Sequence, residues 1–135
     1  MAFIHRVRPR YAEVDQQGVV FNAHWLTYFD EACTRWFDAL GFPPASTFAG
    51  DFDVMLVRAV VDWQGSAGFD EEVDIVVEAV RFGTSSFDVR YTATVGDRSV
   101  CVGTITYVSV VPGEAASTPI PDRFRKALET GTAQP

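Results

Sequence analysis

The segment Asp15-Gln16-Gln17-Gly18-Val19-Val20-Phe21 sets one acidic side chain and one glycine turn directly before Asn22 and a strongly periodic apolar stretch. Trp25, Tyr28, Phe29, Ala32, Cys33, Trp36, Phe37 and Leu40 recur at steps of three and one, which lines a single face of a helix. Asn22 is a suitable N-cap, and Gly41 followed by Pro43 and Pro44 is a suitable stop. The first turn of a helix leaves backbone N–H groups unpaired and carries the positive end of the macrodipole, so it can bind a developing oxyanion. A carboxylate beside such a site points to acyl transfer or hydrolysis.

The elements that must position these groups follow from the remaining pattern. Phe3 to Arg10 reads as an edge strand limited by Pro9. Val54 to Trp63 is an apolar run broken only by Arg58 and Asp62, which predicts a strand buried on both faces or nearly so. Val73, Ile75, Val77 and Ala79 share one face of a further strand, and Phe87, Val89, Tyr91, Ala93 and Val95 repeat the alternation more cleanly. Gly96-Asp97 predicts a hairpin turn into Val100 to Val111, where Gly103 marks a bulge or a close approach. Pro121 to Thr130 predicts a short closing helix with Phe124, Ala127 and Leu128 inward. One long helix followed by four long strands gives an α+β domain, an antiparallel sheet of about five strands wrapped on that helix. Its unpaired edge calls for a second copy, so a dimer with a continuous intermolecular sheet is expected.

Composition removes several classes of function. The 135 residues fit one domain spanning 1–135, with 11 Phe and 3 Trp to build its core. A formal net charge of −7, with Lys126 the single lysine, offers no basic stripe for nucleic acid. No stretch approaches a membrane span and the N-terminus lacks a continuous apolar leader, so a soluble cytoplasmic protein is expected. Cys33 and Cys101 read as buried reduced thiols, and with His5 and His24 the only histidines no metal site is expected.

Tyr11-Ala-Glu-Val-Asp15-Gln-Gln-Gly18-Val-Val-Phe21-Asn22-Ala-His24-Trp25, continued by Leu-Thr-Tyr28-Phe29-Asp-Glu31-Ala32, resembles the signature of hotdog-fold acyl-CoA thioesterases of the 4-hydroxybenzoyl-CoA thioesterase type. Arg81-Phe-Gly83-Thr-Ser85-Ser86-Phe87 and the tail from Pro119 to Leu128 are similar to later segments of that family, and the order of elements is the hotdog order. The resemblance implies an acyl-CoA thioesterase that needs no cofactor. Asp15 then stands at the catalytic carboxylate, attacking the thioester or activating a water, with Gly18 forming the turn behind it. The backbone N–H of Asn22, or of Ala23 beside it, becomes the oxyanion donor, a contact typically worth ~3 kcal/mol. Phe21, His24, Trp25, Met55 and, as neighbours, Phe48, Phe52 and Trp63 become candidates for the acyl side. Arg81, Gly83, Ser85 and Ser86 become candidates for the coenzyme A arm, with Arg58 and Arg90 behind them.

Each of these residues has a plainer reading beside its functional one. By strand parity Glu13 points the same way as Asp15 and is a candidate second carboxylate, and Gln17 is a candidate to orient a water; the plainer readings make Asp15 a turn residue, Glu13 a solvated strand end, Gln17 a turn residue, His24 a capping or surface residue and each arginine a surface ion pair. Gly68 stands where many relatives carry a basic residue, which removes one phosphate contact. The implied assembly is a homodimer or homotetramer with each site shared between two subunits, and an aromatic or medium-chain acyl group suits the aromatic lining. The alternatives are a hotdog protein that binds acyl thioesters without turnover, a thioesterase of acyl carrier protein, or a dehydratase of hydroxyacyl thioesters, for which no His/Asp motif is found.

Overall fold

Helix α1 spans His24–Ala39 and buries Trp25, Tyr28, Phe29, Ala32, Cys33, Trp36 and Phe37 along one face, the stripe that the spacing predicts. The computed structural model describes residues 2–47, 50 and 52–135. The helix ends in a Schellman arrangement: Gly41 takes φ +90°, and the N–H of Phe42 donates to the carbonyl of Phe37 at 2.8 Å. Its start differs from expectation. The cap position is Ala23, whose backbone is already helical (φ −70°, ψ −23°), and no side chain caps the helix. Asn22 is therefore not the N-cap: the chain enters through a tight turn in which the His24 N–H donates to Phe21 O at 2.9 Å.

Five strands form one antiparallel sheet around α1: β1 (Phe3–Val7), β2 (Asp53–Trp63), β3 (Val73–Phe82), β4 (Ser86–Val95) and β5 (Arg98–Val110), in the order β1-β3-β4-β5-β2. This is the hotdog arrangement. A short helix, α2 (Pro44–Thr47), follows α1, and α3 (Asp122–Thr130) closes the far end. Alternating residues of β3, β4 and β5 face α1, so Val73, Ile75, Val77, Val89, Tyr91, Ala93, Cys101 and Ile105 are buried. Phe124 anchors α3 among the rings of Phe37, Phe42 and Phe52 at centroid distances of 5.2, 4.9 and 5.0 Å. Burial of such a side chain contributes roughly 1.5–3 kcal/mol. Gly103 lets β5 pass directly under the helix, since a Cβ there would lie 2.6 Å from Phe29 Cε2. It serves close packing; the β5 irregularities lie elsewhere, between Ala93 and Thr94 opposite and at Leu56/Arg58 of β2.

The second correction concerns β2. It is the outer strand of the sheet, and Met55, Leu56, Val57, Val60 and Trp63 are each between 44% and 57% exposed, where a buried strand is expected. Among the described residues no strand other than β5 pairs with it. The apolar composition of β2 belongs to an edge, not to the interior.

Candidate active site

Asp15 opens a short hairpin built by local rules. The Gly18 N–H donates to Asp15 O at 3.0 Å and the Asp15 N–H donates to Val19 O at 2.9 Å. Gly18 takes φ +77°, the left-handed residue that a three-residue loop of this kind requires. The Asp15 side chain serves the turn as well: its Oδ1 accepts the Gln17 N–H at 2.8 Å. Among the described residues no hydrogen bond of the chain engages the other carboxylate oxygen. The hairpin is pinned from behind, where Val19 bridges Gly68 and the Val20 N–H donates to Ala67 O at 2.8 Å. Gly68 in turn gives its N–H to Glu71 at 2.6 Å, and Glu71 pairs with Arg98. The segment that departs from the expected phosphate contact thus supports the Asp15 turn.

Glu13 does not behave as strand parity predicts. It sits in a 3-10 turn, Tyr11–Glu13, where its carboxylate accepts the Arg10 N–H at 2.8 Å and the Tyr28 hydroxyl at 3.0 Å. The Phe21 N–H donates to Glu13 O at 2.9 Å. Burial alone would raise the Glu13 pKa, but the donors from Arg10 and Tyr28 outweigh it and hold the carboxyl below its ordinary value. Glu13 therefore ties the chain on both sides of Asp15 to α1. The only sequence signal for this role is the match of a carboxylate with a tyrosine on the buried helix face.

Asp15, Gln17, Asn22, Trp25, Trp63 and Ser66 line one cleft of about 350 Å³. The N–H groups of Asn22 and Ala23 have no hydrogen-bond acceptor among the described residues, because the turn that begins α1 engages Phe21 and His24 instead. Asp15 and Asn22, whose N–H has no acceptor among the described residues, thus line the same cleft, an arrangement suited to attack on a carbonyl whose oxygen becomes negative. On its other side Asp15 borders a second depression of about 500 Å³ with Tyr11, Val14 and Phe69.

The other candidates are distributed unevenly. Trp25 lines the cleft although it is 2% exposed, and Trp63 closes it with a long hydrogen bond of 3.4 Å from its indole N–H to Asn22 O. Phe21 is 46% exposed and meets the His24 ring edge-on at 5.8 Å, outside the cleft. Phe52 belongs to the core, and Phe48 lies outside the described residues. Met55 lies at the opposite end of β2, beside Asp53 and Val110.

Arg81, Gly83, Ser85 and Ser86 form the β3–β4 hairpin at that same opposite end, since Ser86 pairs with Val108 and Val108 with Met55. One chain does not bring them to Asp15. Arg81 is a fork on Asp88, at 2.8 and 3.1 Å, and also donates to Ser86 Oγ at 3.0 Å. The carbonyl of Gly83 accepts from Arg125, and that of Ser85 from the Ser109 N–H at 2.7 Å. Arg90 pairs with Glu78. Among the described residues no group of three or more His, Cys, Asp and Glu could hold a metal ion, and no helix is long and apolar enough to cross a membrane.

Residues 17–108 match the model of the thioesterase superfamily, from Gln17, two residues after Asp15, to Val108 near the end of β5. The chain belongs to the thioesterase superfamily. A 1,4-dihydroxy-2-naphthoyl-CoA hydrolase from Synechococcus elongatus is 25% identical over 122 residues, covering 89% of this chain and 90% of that protein. The structure is similar to that of a 1,4-dihydroxy-2-naphthoyl-CoA thioesterase from Synechocystis, with a TM-score of 0.86 at 19% identity over 95% of this chain and 96% of the other. It is equally similar to a gentisyl-coenzyme A thioesterase, with a TM-score of 0.85 at 23% identity over 93% and 99% of the two chains. At these identities the structural likeness speaks for the superfamily fold.

Proposed function

We propose that this thioesterase-superfamily chain hydrolyses an aromatic or medium-chain acyl-CoA, with Asp15 as nucleophile or general base. The observation that carries the reading is Asp15, with one carboxylate oxygen unengaged among the described residues, sharing a cleft with Asn22, whose N–H has no acceptor there. In the general-base form Asp15 takes a proton from water as its oxygen bonds to the thioester carbon, and the carbonyl oxygen becomes negative against the helix entry. Collapse expels the thiolate, which Asp15 reprotonates, and leaves the free acid. In the nucleophilic form the carboxylate oxygen bonds to the thioester carbon and the C–S bond breaks, releasing the thiolate and leaving an anhydride; water then cleaves the anhydride to the free acid and the restored Asp15 carboxylate, its proton passing to the thiolate. The aryl-CoA substrates named for the relatives favour an aromatic acyl group. The net charge of −7 disfavours docking of an acidic acyl carrier protein.

The reading includes a homodimer joined through β2. An exposed apolar edge pairing with its own copy about a two-fold axis is antiparallel, so the Trp63 end of one strand lies beside the Asp53 end of the other. Met55 and Trp63 are about 26 Å apart along the strand at ~3.3 Å per residue. The two-fold therefore carries Met55 and the 81–86 hairpin of one subunit toward Asp15 of the other. Arg81, Gly83, Ser85 and Ser86 then serve the coenzyme A arm of the partner's site, with Arg81 held in place by Asp88.

Asp15→Asn tests the assignment. The asparagine oxygen retains the bond from the Gln17 N–H, so the fold should persist, by circular dichroism, while free-thiol release from a panel of acyl-CoAs falls by at least ~10². A folded variant that keeps most of its hydrolysis sinks the reading.

A further inference from the structure

The turn between β3 and β4 is held from behind at each of its carbonyls. The Arg125 guanidinium donates to Gly83 O, the Ile120 N–H to Thr84 O at 3.0 Å and the Ser109 N–H to Ser85 O at 2.7 Å. The Gly83 N–H closes the turn on Ser86 O at 2.7 Å, and the Ser86 hydroxyl accepts from Arg81 at 3.0 Å. The N–H groups of Thr84 and Ser85, by contrast, have no acceptor among the described residues. The backbone of this turn therefore has unengaged donors and no unengaged carbonyl. A ligand that hydrogen-bonds to it must bring acceptors, such as amide carbonyl or phosphate oxygens.

Of these ties to the carbonyls, only that from Arg125 is made by a side chain. Arg125 lies on α3, which buries Phe124, Ala127 and Leu128 in the core, so the guanidinium is presented by a fixed element. The ring of Phe82 fixes it a second time, with its centroid 5.4 Å from the guanidinium carbon. Gly83 packs closely in front of it, since a Cβ there would lie 2.8 Å from Ser86 Oγ. Arg123, two residues earlier on the same helix, provides the comparison. It lies over the Phe42 ring at 5.1 Å and donates to Gln134 O, so it makes the same kind of ring contact without touching the turn.

We propose that Arg125 is a positioning residue for the coenzyme A arm: it keeps the Gly83 carbonyl turned inward, so that the 83–86 turn offers N–H donors to the oxygen-bearing arm. This rests on the reading above, in which the turn serves the arm in the partner's site. The test measures kcat and KM of the full chain for one acyl-CoA that the wild type hydrolyses, and for the same acyl group on N-acetylcysteamine, which ends before the phosphates. Arg125→Met keeps an apolar stem on Phe82 and removes the donors. It should raise KM for the acyl-CoA about tenfold, the cost of ordering one backbone residue on binding, with kcat and both constants for the truncated thioester within twofold of wild type. Arg125→Lys should fall between the two, and Arg123→Met, which loses a comparable ring contact, should leave every constant in place. An unchanged KM in a folded Arg125→Met variant, or a loss shared equally by the truncated thioester or by Arg123→Met, overturns the inference. Should Arg125→Met not fold, Arg125→Lys decides by the same comparison. Failure of the underlying reading shows separately, as no hydrolysis of any acyl-CoA or as an Arg81→Met variant with unchanged KM, and takes the inference with it.

Discussion

Removing the Tyr28 hydroxyl should loosen the Asp15 turn without touching it. Tyr28 is 4% exposed, and its O–H donates to Glu13 at 3.0 Å, two residues before Asp15. A hydrogen bond to a charged group contributes about 1.5–3 kcal/mol. Here the lower end applies, because Arg10 continues to donate to the same carboxylate through its backbone N–H. A loss of about 1.5 kcal/mol, at roughly 2.1 cal/mol/K of unfolding entropy per residue over 135 residues, lowers Tm by about 5 °C. The pH dependence is the sharper test. Because the donors hold the Glu13 carboxyl below its ordinary 4.5, their stabilisation is complete above that value and is lost as pH falls through the lower folded value. Thermal unfolding of wild type and Tyr28→Phe, followed by circular dichroism at pH 7 and at pH 3, should show a deficit at neutral pH that shrinks in acid. Glu13→Gln should reproduce the deficit, and combining it with Tyr28→Phe should add less than the sum. A Tyr28→Phe variant within 1 °C of wild type at pH 7, or with an undiminished deficit at pH 3, refutes the role given to Glu13.

Two further outcomes follow from packing and from the edge strand. Gly103→Ala places a methyl group 2.6 Å from Phe29, which is fully buried and stacked on Tyr91 at 5.0 Å, so neither ring can yield easily. It should cost about 1–3 kcal/mol, and adding Phe29→Leu should recover part of it; an unchanged Tm contradicts the close approach of β5 to α1. Val60→Lys adds a charge to the exposed edge two residues from Arg58, and sedimentation velocity should report a dimer for the wild type and a monomer for the variant, with acyl-CoA hydrolysis lost. A variant that remains dimeric and active removes β2 as the joining edge.

Much of the fold was legible because periodicity reports which faces are covered. The stripe from Trp25 to Leu40 and the alternation from Phe87 to Val95 each have one buried side, and the structure covers that side within the chain. The run from Val54 to Trp63 could not be read the same way. Apolar residues on both faces describe equally a strand in the middle of a sheet and an edge that meets another molecule, and only the strand order separates the two. At the site, Asp15 and Gly18 stood out because a three-residue turn needs those residue types. Asn22 misled because N-cap preference presumes an extended residue, while here the helical backbone of Ala23 moves the cap on by one position. Glu13 misled because parity holds only in a strand, and Pro9 and the following 3-10 turn break it. The Arg81–Asp88 pair could have been found, since a turn at Gly83–Ser86 sets the two opposite one another across the hairpin.

The strand order also explains why the candidate residues fall into two groups. The turn carrying Asp15 lies where α1 begins, beside Trp63, whereas the 83–86 hairpin lies where β3 meets β4, level with Met55. With β2 and β5 antiparallel and β2 outermost, no rearrangement within the chain short of unfolding the sheet brings these ends together. An antiparallel meeting of two β2 edges does so in one step, and it covers the exposed apolar residues from Met55 to Trp63 at the same time. Under the proposed dimer, the edge that a single chain leaves exposed is the one that completes the site. In the proposed dimer Asp15 and the 83–86 hairpin that serve one site come from different copies.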